Sequence, residues 1–194
     1  MTSFKIYTPE TAPEKSRDIL KATYTKLGFV PNILGEMAES PALLKGYSDL
    51  SEASKLGLFT PVENQVVQMT ASWMHGCDYC VAAHSTFAQK GNVPADVIKA
   101  LREDAPLKDQ KLEALRQFTK ITLKKMGQVD DRDIDAFIKA GYTQAHVYEV
   151  VLGLALKFIT NYVNHIVKTP LDTAFEGQRV EPGKGCSVRP SCAA

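Results

Sequence analysis

Apolar residues along this chain recur at intervals of three and four, and short polar or Gly/Pro breaks separate each run from the next. A helix needs that period to keep one stripe against a core. Thr11-Ala-Pro-Glu14 fits a capping box and predicts a helix to about Leu27, stopped at Gly28. Phe29-Val-Pro-Asn32 reads as a connector, and residues 33–39 as a short helix. Ser40-Pro41 pairs an N-cap with an N1 proline and opens a helix that ends near Gly57. Thr60-Pro61-Val62-Glu63 repeats that signature with a glutamate at N3. The helix it opens should turn Val66, Val67, Thr70 and Met74 inward and stop at Gly76. Another restarts near Cys77 and ends at Gly91, and Pro94 opens one that runs to about Glu103. Residues 107–126 place Leu112, Leu115, Phe118, Thr122 and Met126 near one face. A short helix is expected over 130–140. The longest should run from Thr143 to about Val167, with Val147, Val150, Val151, Leu154 and Phe158 as its stripe.

No segment alternates apolar and polar residues between hairpin dipeptides, so the expected class is all-α, with about eight helices. From Glu176 onward the chain turns to Gly, Pro, Ser and basic residues. The expected organisation is therefore one helical domain over 1–175 and an extended C-terminal tail over 176–194.

Composition narrows the partners. A length of 194 residues, 44% hydrophobic and 23% charged, suits one globular domain with a core of its own. A net charge of +1 leaves no electrostatic footprint for nucleic acid or an anionic membrane. The opening residues show no secretory signal, and the apolar run from Val150 to Leu156 is too short to span a bilayer. The expectation is a soluble, cytoplasmic protein. In that reducing compartment a close cysteine pair points to catalysis or metal binding more than to stability.

Residues 75–84, HGCDYCVAAH, hold two of the four cysteines and two of the four histidines. Cys77, Cys80 and His84 are spaced i, i+3 and i+7, which puts them on one helical stripe. A helix N-terminus at Cys77, just after Gly76, would favour a thiolate, and His84 would sit one turn beyond Cys80, placed to exchange its proton. Three plainer readings compete. A structural disulfide between the two cysteines would close a very small loop and restrict the unfolded chain little. Zinc needs about four ligands, and one helix supplies three at most. Two thiols can also be ordinary core residues. Dithiol redox chemistry uses all three side chains and leads.

Cys77-Asp-Tyr-Cys80-Val-Ala-Ala-His84, following Ser72-Trp73-Met74-His75-Gly76, resembles the signature of the AhpD-like alkylhydroperoxidase family, within the carboxymuconolactone decarboxylase superfamily. Phe29-Val-Pro-Asn32, Ser40-Pro41-Ala-Leu-Leu44 and Phe158…Asn161-Tyr-Val-Asn164-His165 are similar to its peroxidase-related branch. The resemblance covers about residues 14–173. It implies an AhpD-like multi-helix bundle and a hydroperoxide substrate. Cys80 would be the attacking thiol, Cys77 would resolve it as a disulfide, and His84 would take the Cys80 proton. An external dithiol or lipoyl-type reductant would restore the pair. It further implies a homo-oligomer, trimer or hexamer. No cofactor or metal is expected.

The family motif places a glutamate twelve residues before its first cysteine. Here that position is Gln65, which can orient an imidazole but cannot accept a proton. The nearest acid is Glu63, which is on a different helical face and already suits the capping box with Thr60. Gln65 and Glu63 are both candidate relay residues. Two alternatives to a peroxidase stand: a non-enzymatic dithiol sensor or assembly module, and a carboxymuconolactone-type decarboxylase, disfavoured by the thiol pair. His75, at a helix C-terminus, is expected to cap it as a cation, and His165 and Asn161 are spaced to meet. Trp73 is expected to anchor core or a subunit contact.

Overall fold

The computed structural model describes residues 3–180. Among them the chain forms α1 (Glu14–Leu27), α2 (Asn32–Met37), α3 (Pro41–Ala53), α4 (Pro61–Met74), α5 (Asp78–Lys90), α6 (Ala95–Glu103), α7 (Gln110–Lys124), α8 (Asp131–Lys139) and α9 (Gln144–Val167). Two 3-10 helices, Ser54–Leu56 and Thr173–Gln178, complete the set, and no strand is present among the described residues. The all-α expectation holds.

Local chemistry sets most helix starts. Ser40 caps α3 by accepting from Leu43 N–H at 3.3 Å, with Pro41 in the first turn. Thr60 and Glu63 close the expected capping box on α4. The box expected at Thr11 does not form. Pro13 takes the N-cap position of α1 and has no side-chain acceptor, while the Thr11 hydroxyl accepts from Thr8 N–H at 3.0 Å. Met126 lies outside α7 in a left-handed conformation and is 88% exposed, so it leaves the predicted stripe.

Two apolar clusters form the core, and α5 contributes to both. One gathers Val66, Val67, Leu101, Leu115, Phe118, Phe137 and Val150, with Phe137 stacked between Phe118 and Tyr142 at centroid distances of 4.3 and 4.4 Å. The other gathers Leu20, Ile33, Met37, Leu44, Tyr79, Ala83 and Phe175 around Cys77 and Cys80. The helix α9 packs tightly on α4 at Gly153, where a Cβ would lie 2.7 Å from Val67 Cγ1.

The stripe predicted for α9 is partly inverted. Val151 and Phe158 are 55% and 54% exposed, while Lys157, Thr160, Asn161 and Asn164 are buried beside Val150, Gly153 and Leu156. By length and composition α9 could cross a membrane, which its short uninterrupted apolar run did not reveal. Here it packs against α4 and against α5, the helix that carries the dithiol. The segment expected to start the tail is structured as far as it is described. Phe175 is 1% exposed and meets Phe29, Tyr79 and Phe87 edge-on, and Arg102 donates to the Gln178 and Arg179 carbonyls. Cys186 and Cys192 lie outside the described residues.

Candidate active site

α4 ends at Met74, and Gly76 turns the chain at φ 72°, a left-handed conformation that glycine adopts without steric cost. That turn delivers Cys77 to the N-cap of α5 rather than into the helix. Its sulfur accepts from Cys80 N–H at 3.3 Å. Cys80 therefore stands in the first turn, where free N–H groups and the helix dipole favour an anion. Both thiols are free and buried, at 1% and 2% exposure.

The two sulfurs are driven apart in acidity. Burial raises Cys77 well above the ordinary thiol range, and its neighbour Cys80 adds to the rise. Burial also pushes Cys80 up. The Cys77 S–H, the Lys157 ammonium and the Thr160 hydroxyl outweigh it and bring Cys80 down to about 7. Asn164 Oδ1 accepts from Cys77 Sγ at 3.4 Å, a second outlet for that proton. Cys80 is thus the more acidic of the two thiols, although Cys77 holds the capping position that the sequence favoured.

The imidazole of His84 is held at both nitrogens. Its Nδ1 lies 3.1 Å from Gln65 Oε1, and its Nε2 lies 2.7 Å from Lys157 Nζ. Gln65 Oε1 can only accept, and an ammonium can only donate, so the proton sits on Nδ1 and the Nε2 lone pair faces Lys157. Burial, then Lys157, holds the His84 pKa well below its ordinary value. The structure thus brings Gln65 to His84, as the sequence allowed, and commits the lone pair expected for the Cys80 proton to Lys157.

Glu63 is placed elsewhere. Its carboxylate accepts from Thr60 N–H and Oγ1 at 2.9 and 2.8 Å and pairs with Lys111 at 3.1 Å, and His84 is not among its partners. His75 caps α4 but is neutral. Burial, His165 and Lys157 lower its pKa to about 4, and it pairs with Asn161 at 2.8 Å, so Asn161 meets His75 and not His165. Trp73 is partly buried, with Lys120 Nζ 5.5 Å from its ring centroid. Among the described residues no cluster of three or more His, Cys, Asp or Glu side chains is arranged to hold a metal ion.

Sequence reasoning missed Lys157, Thr160 and Asn164. Lys157 and Asn164 lie seven and fourteen residues after Val150, so polar residues on the stripe already expected to face inward were the available signal. All three turn inward against the dithiol. A cavity of about 480 Å³ includes Cys80, His84, Lys157 and Thr160 in its lining, with Leu44, Tyr47, Phe87 and Phe175 supplying apolar wall. Burial lifts the Tyr47 hydroxyl to about 12, so it stays protonated.

Fold and site together define an all-α protein with a CxxC pair at the head of a helix, opening on an apolar cavity. Residues 41–120, which include that helix, match the model of the carboxymuconolactone decarboxylase family. That match covers less than half of the chain, and the solved structures it resembles share its fold. The chain is similar to the alkylhydroperoxidase AhpD core of an uncharacterized peroxidase-related protein from Ralstonia eutropha JMP134, with 21% identity, a TM-score of 0.76, and coverage of 89% of this chain and 93% of that one. It is similar to an uncharacterized peroxidase-related protein from Silicibacter sp. TM1040, with 18% identity, a TM-score of 0.77, and coverage of 91% and 94%. It also resembles a cysteine-to-alanine variant of the debrominase Bmp8 in complex with 2,3,4-tribromopyrrole, with 18% identity, a TM-score of 0.74, and coverage of 92% and 96%. No curated protein matches the chain.

Proposed function

We infer that this protein is a thiol-dependent peroxidase acting on organic hydroperoxides in the cytoplasm. The observation that carries the reading is Cys80 in the lining of an apolar cavity, its pKa lowered while that of Cys77 is raised. The Cys80 thiolate attacks the outer peroxide oxygen, the O–O bond breaks, and Cys80 becomes a sulfenic acid as the alcohol leaves. The Cys77 sulfur then displaces water from the sulfenic acid and forms the Cys77–Cys80 disulfide. An external dithiol of the lipoyl type reduces it by exchange. Gln65 fixes the tautomer and orientation of His84. The exposed stripe on α9 suits a homo-oligomer.

Peroxide turnover with a dithiol reductant tests this. Cys80→Ser is expected to abolish it. Cys77→Ser is expected to consume one equivalent of peroxide and stop at a sulfenic acid that dimedone traps. Full activity in Cys80→Ser overturns the reading.

A second reading is favoured by the ring-lined wall of Tyr47, Phe87 and Phe175. The same dithiol could reduce a halogenated aromatic ring, the ligand class named for one structural neighbour. Halide release dependent on both cysteines, without peroxide turnover, would favour it.

A further inference from the structure

Lys157 is 3% exposed and stands on the inward face of α9. Among the described residues it forms no ion pair with a carboxylate, and its one hydrogen bond is to His84 Nε2 at 2.7 Å. A buried ammonium without an anion is costly, so its partner has to be sought in the same cavity. The titratable groups around it are Cys77, Cys80 and His84 from α5, His75 from the end of α4 and Tyr47 from α3. At neutral pH the histidines, Cys77 and Tyr47 are uncharged, which leaves Cys80, the more acidic thiol and a lining residue of the same cavity, as the group able to supply a counter-charge.

The same inventory exposes a gap in the peroxidase chemistry. An alkoxide leaving into an apolar cavity needs a proton. The imidazole of His84 is neutral, and its Nδ1–H is engaged by Gln65, which cannot replace it. The Tyr79 hydroxyl donates to Asp172 at 2.6 Å. Lys26, the other cation in the lining, lies 3.8 Å from Glu52, and both are largely exposed. The remaining charged acid is Lys157.

We propose that Lys157 is a catalytic residue, whose ammonium holds Cys80 as the thiolate and protonates the oxygen that leaves when the O–O bond breaks. The proposal rests on the peroxidase reading. The Cys80 thiolate attacks the outer oxygen of ROOH, an S–OH bond forms, and RO⁻ takes the Lys157 proton and departs as ROH. Lys157 is left as the neutral amine. Cys77 S–H and the sulfenic acid then give the disulfide and water. Reduction by a dithiol returns two thiol protons to the pair, and the amine takes the one on Cys80, restoring ammonium and thiolate. The cycle consumes one peroxide and one dithiol.

Lys157→Met and Lys157→Arg separate the two tasks. The readouts are the pH dependence of iodoacetamide alkylation at Cys80, followed by peptide mass spectrometry, and turnover of cumene hydroperoxide against a peroxy acid, whose carboxylate leaves without needing a proton. Lys157→Met should raise the alkylation midpoint by at least about one pH unit and lower cumene hydroperoxide turnover ~100-fold. Lys157→Arg keeps the charge but not a transferable proton. It should keep a low midpoint, lose ~100-fold on cumene hydroperoxide and come within ~10-fold of the unmodified protein on the peroxy acid.

An unchanged midpoint and unchanged turnover in Lys157→Met overturn the proposal. So does a Lys157→Arg defect of equal size on both substrates. Should Lys157→Met fail to fold by circular dichroism, the Lys157→Arg comparison decides. If the unmodified protein turns over neither substrate, the peroxidase reading and the proton-donor role fall together, and the alkylation midpoint still judges whether Lys157 holds the thiolate.

Discussion

Gln65 Oε1 accepts from His84 Nδ1 at 3.1 Å, a contact that ties the second turn of α4 to the middle of α5. The acceptor fixes the tautomer: Nδ1 carries the proton and Nε2 faces Lys157. Gln65→Glu would put a carboxylate on Nδ1–H and favour the imidazolium. The His84 titration, followed by NMR on labelled imidazole, should move up from its position well below 6.5. An unmoved midpoint would mean that the contact does not control the ring. Gln65→Leu should cost about 1 kcal/mol of stability in urea.

Tyr79 anchors the far wall of the cavity. Its hydroxyl donates to Asp172 Oδ2 at 2.6 Å, and Asp172 Oδ1 accepts from Asn32 N–H at 2.9 Å. One carboxylate thereby ties α5 and α2 to the segment that leads into the helix of Phe175. Tyr79→Phe removes one donor from a buried carboxylate and should lower stability by about 1–3 kcal/mol, with the urea m-value unchanged. A change under 0.5 kcal/mol, to take a rough threshold, would show that the bond is dispensable.

Glu113 predicts acid lability. Burial raises its pKa, but Arg116, Gln117 and the Leu107 N–H overcome that and bring it to about 2. A carboxylate with a depressed folded pKa stabilises fully above its unfolded value of ~4.3, and loses that contribution as pH falls through the folded value. The window is therefore between about pH 4.3 and pH 2, and the contribution is about 3 kcal/mol. Urea unfolding at about pH 6 and about pH 2.5 should show a smaller acid loss in Glu113→Gln than in the unmodified protein. Equal losses would overturn the assignment.

The outer face of α9 carries Tyr148, Val151, Phe158, Tyr162 and Ile166, all at least 45% exposed and spaced by three, seven, four and four. A continuous apolar stripe on a 24-residue helix suits pairing with another copy. Size-exclusion chromatography with light scattering should show a multimer that Phe158→Lys weakens. A monomer at every concentration would count against the oligomer.

The sequence by itself determined the helices, because capping boxes, N1 prolines and stop glycines act within a few residues of the bonds they form. Thr60 and Glu63 were legible for that reason. So was the cysteine–histidine stretch, whose spacing and surroundings carried the family resemblance, and so was the position of Gln65. Only the tertiary structure decided what those residues meet. Lys157 is 73 positions from His84 along the chain, and Asn164 is 87 from Cys77. No local pattern encodes such contacts. Periodicity puts Lys157, Asn161 and Asn164 on the stripe of Val150 and Leu154, but burying polar groups is costly unless partners wait in the interior, and spacing does not name those partners. The partners are the thiols, His84 and His75 on other helices. The physical reason is one of range: caps and turns are settled by neighbours in sequence, whereas the acidity of a thiol is settled by the charges that folding brings beside it.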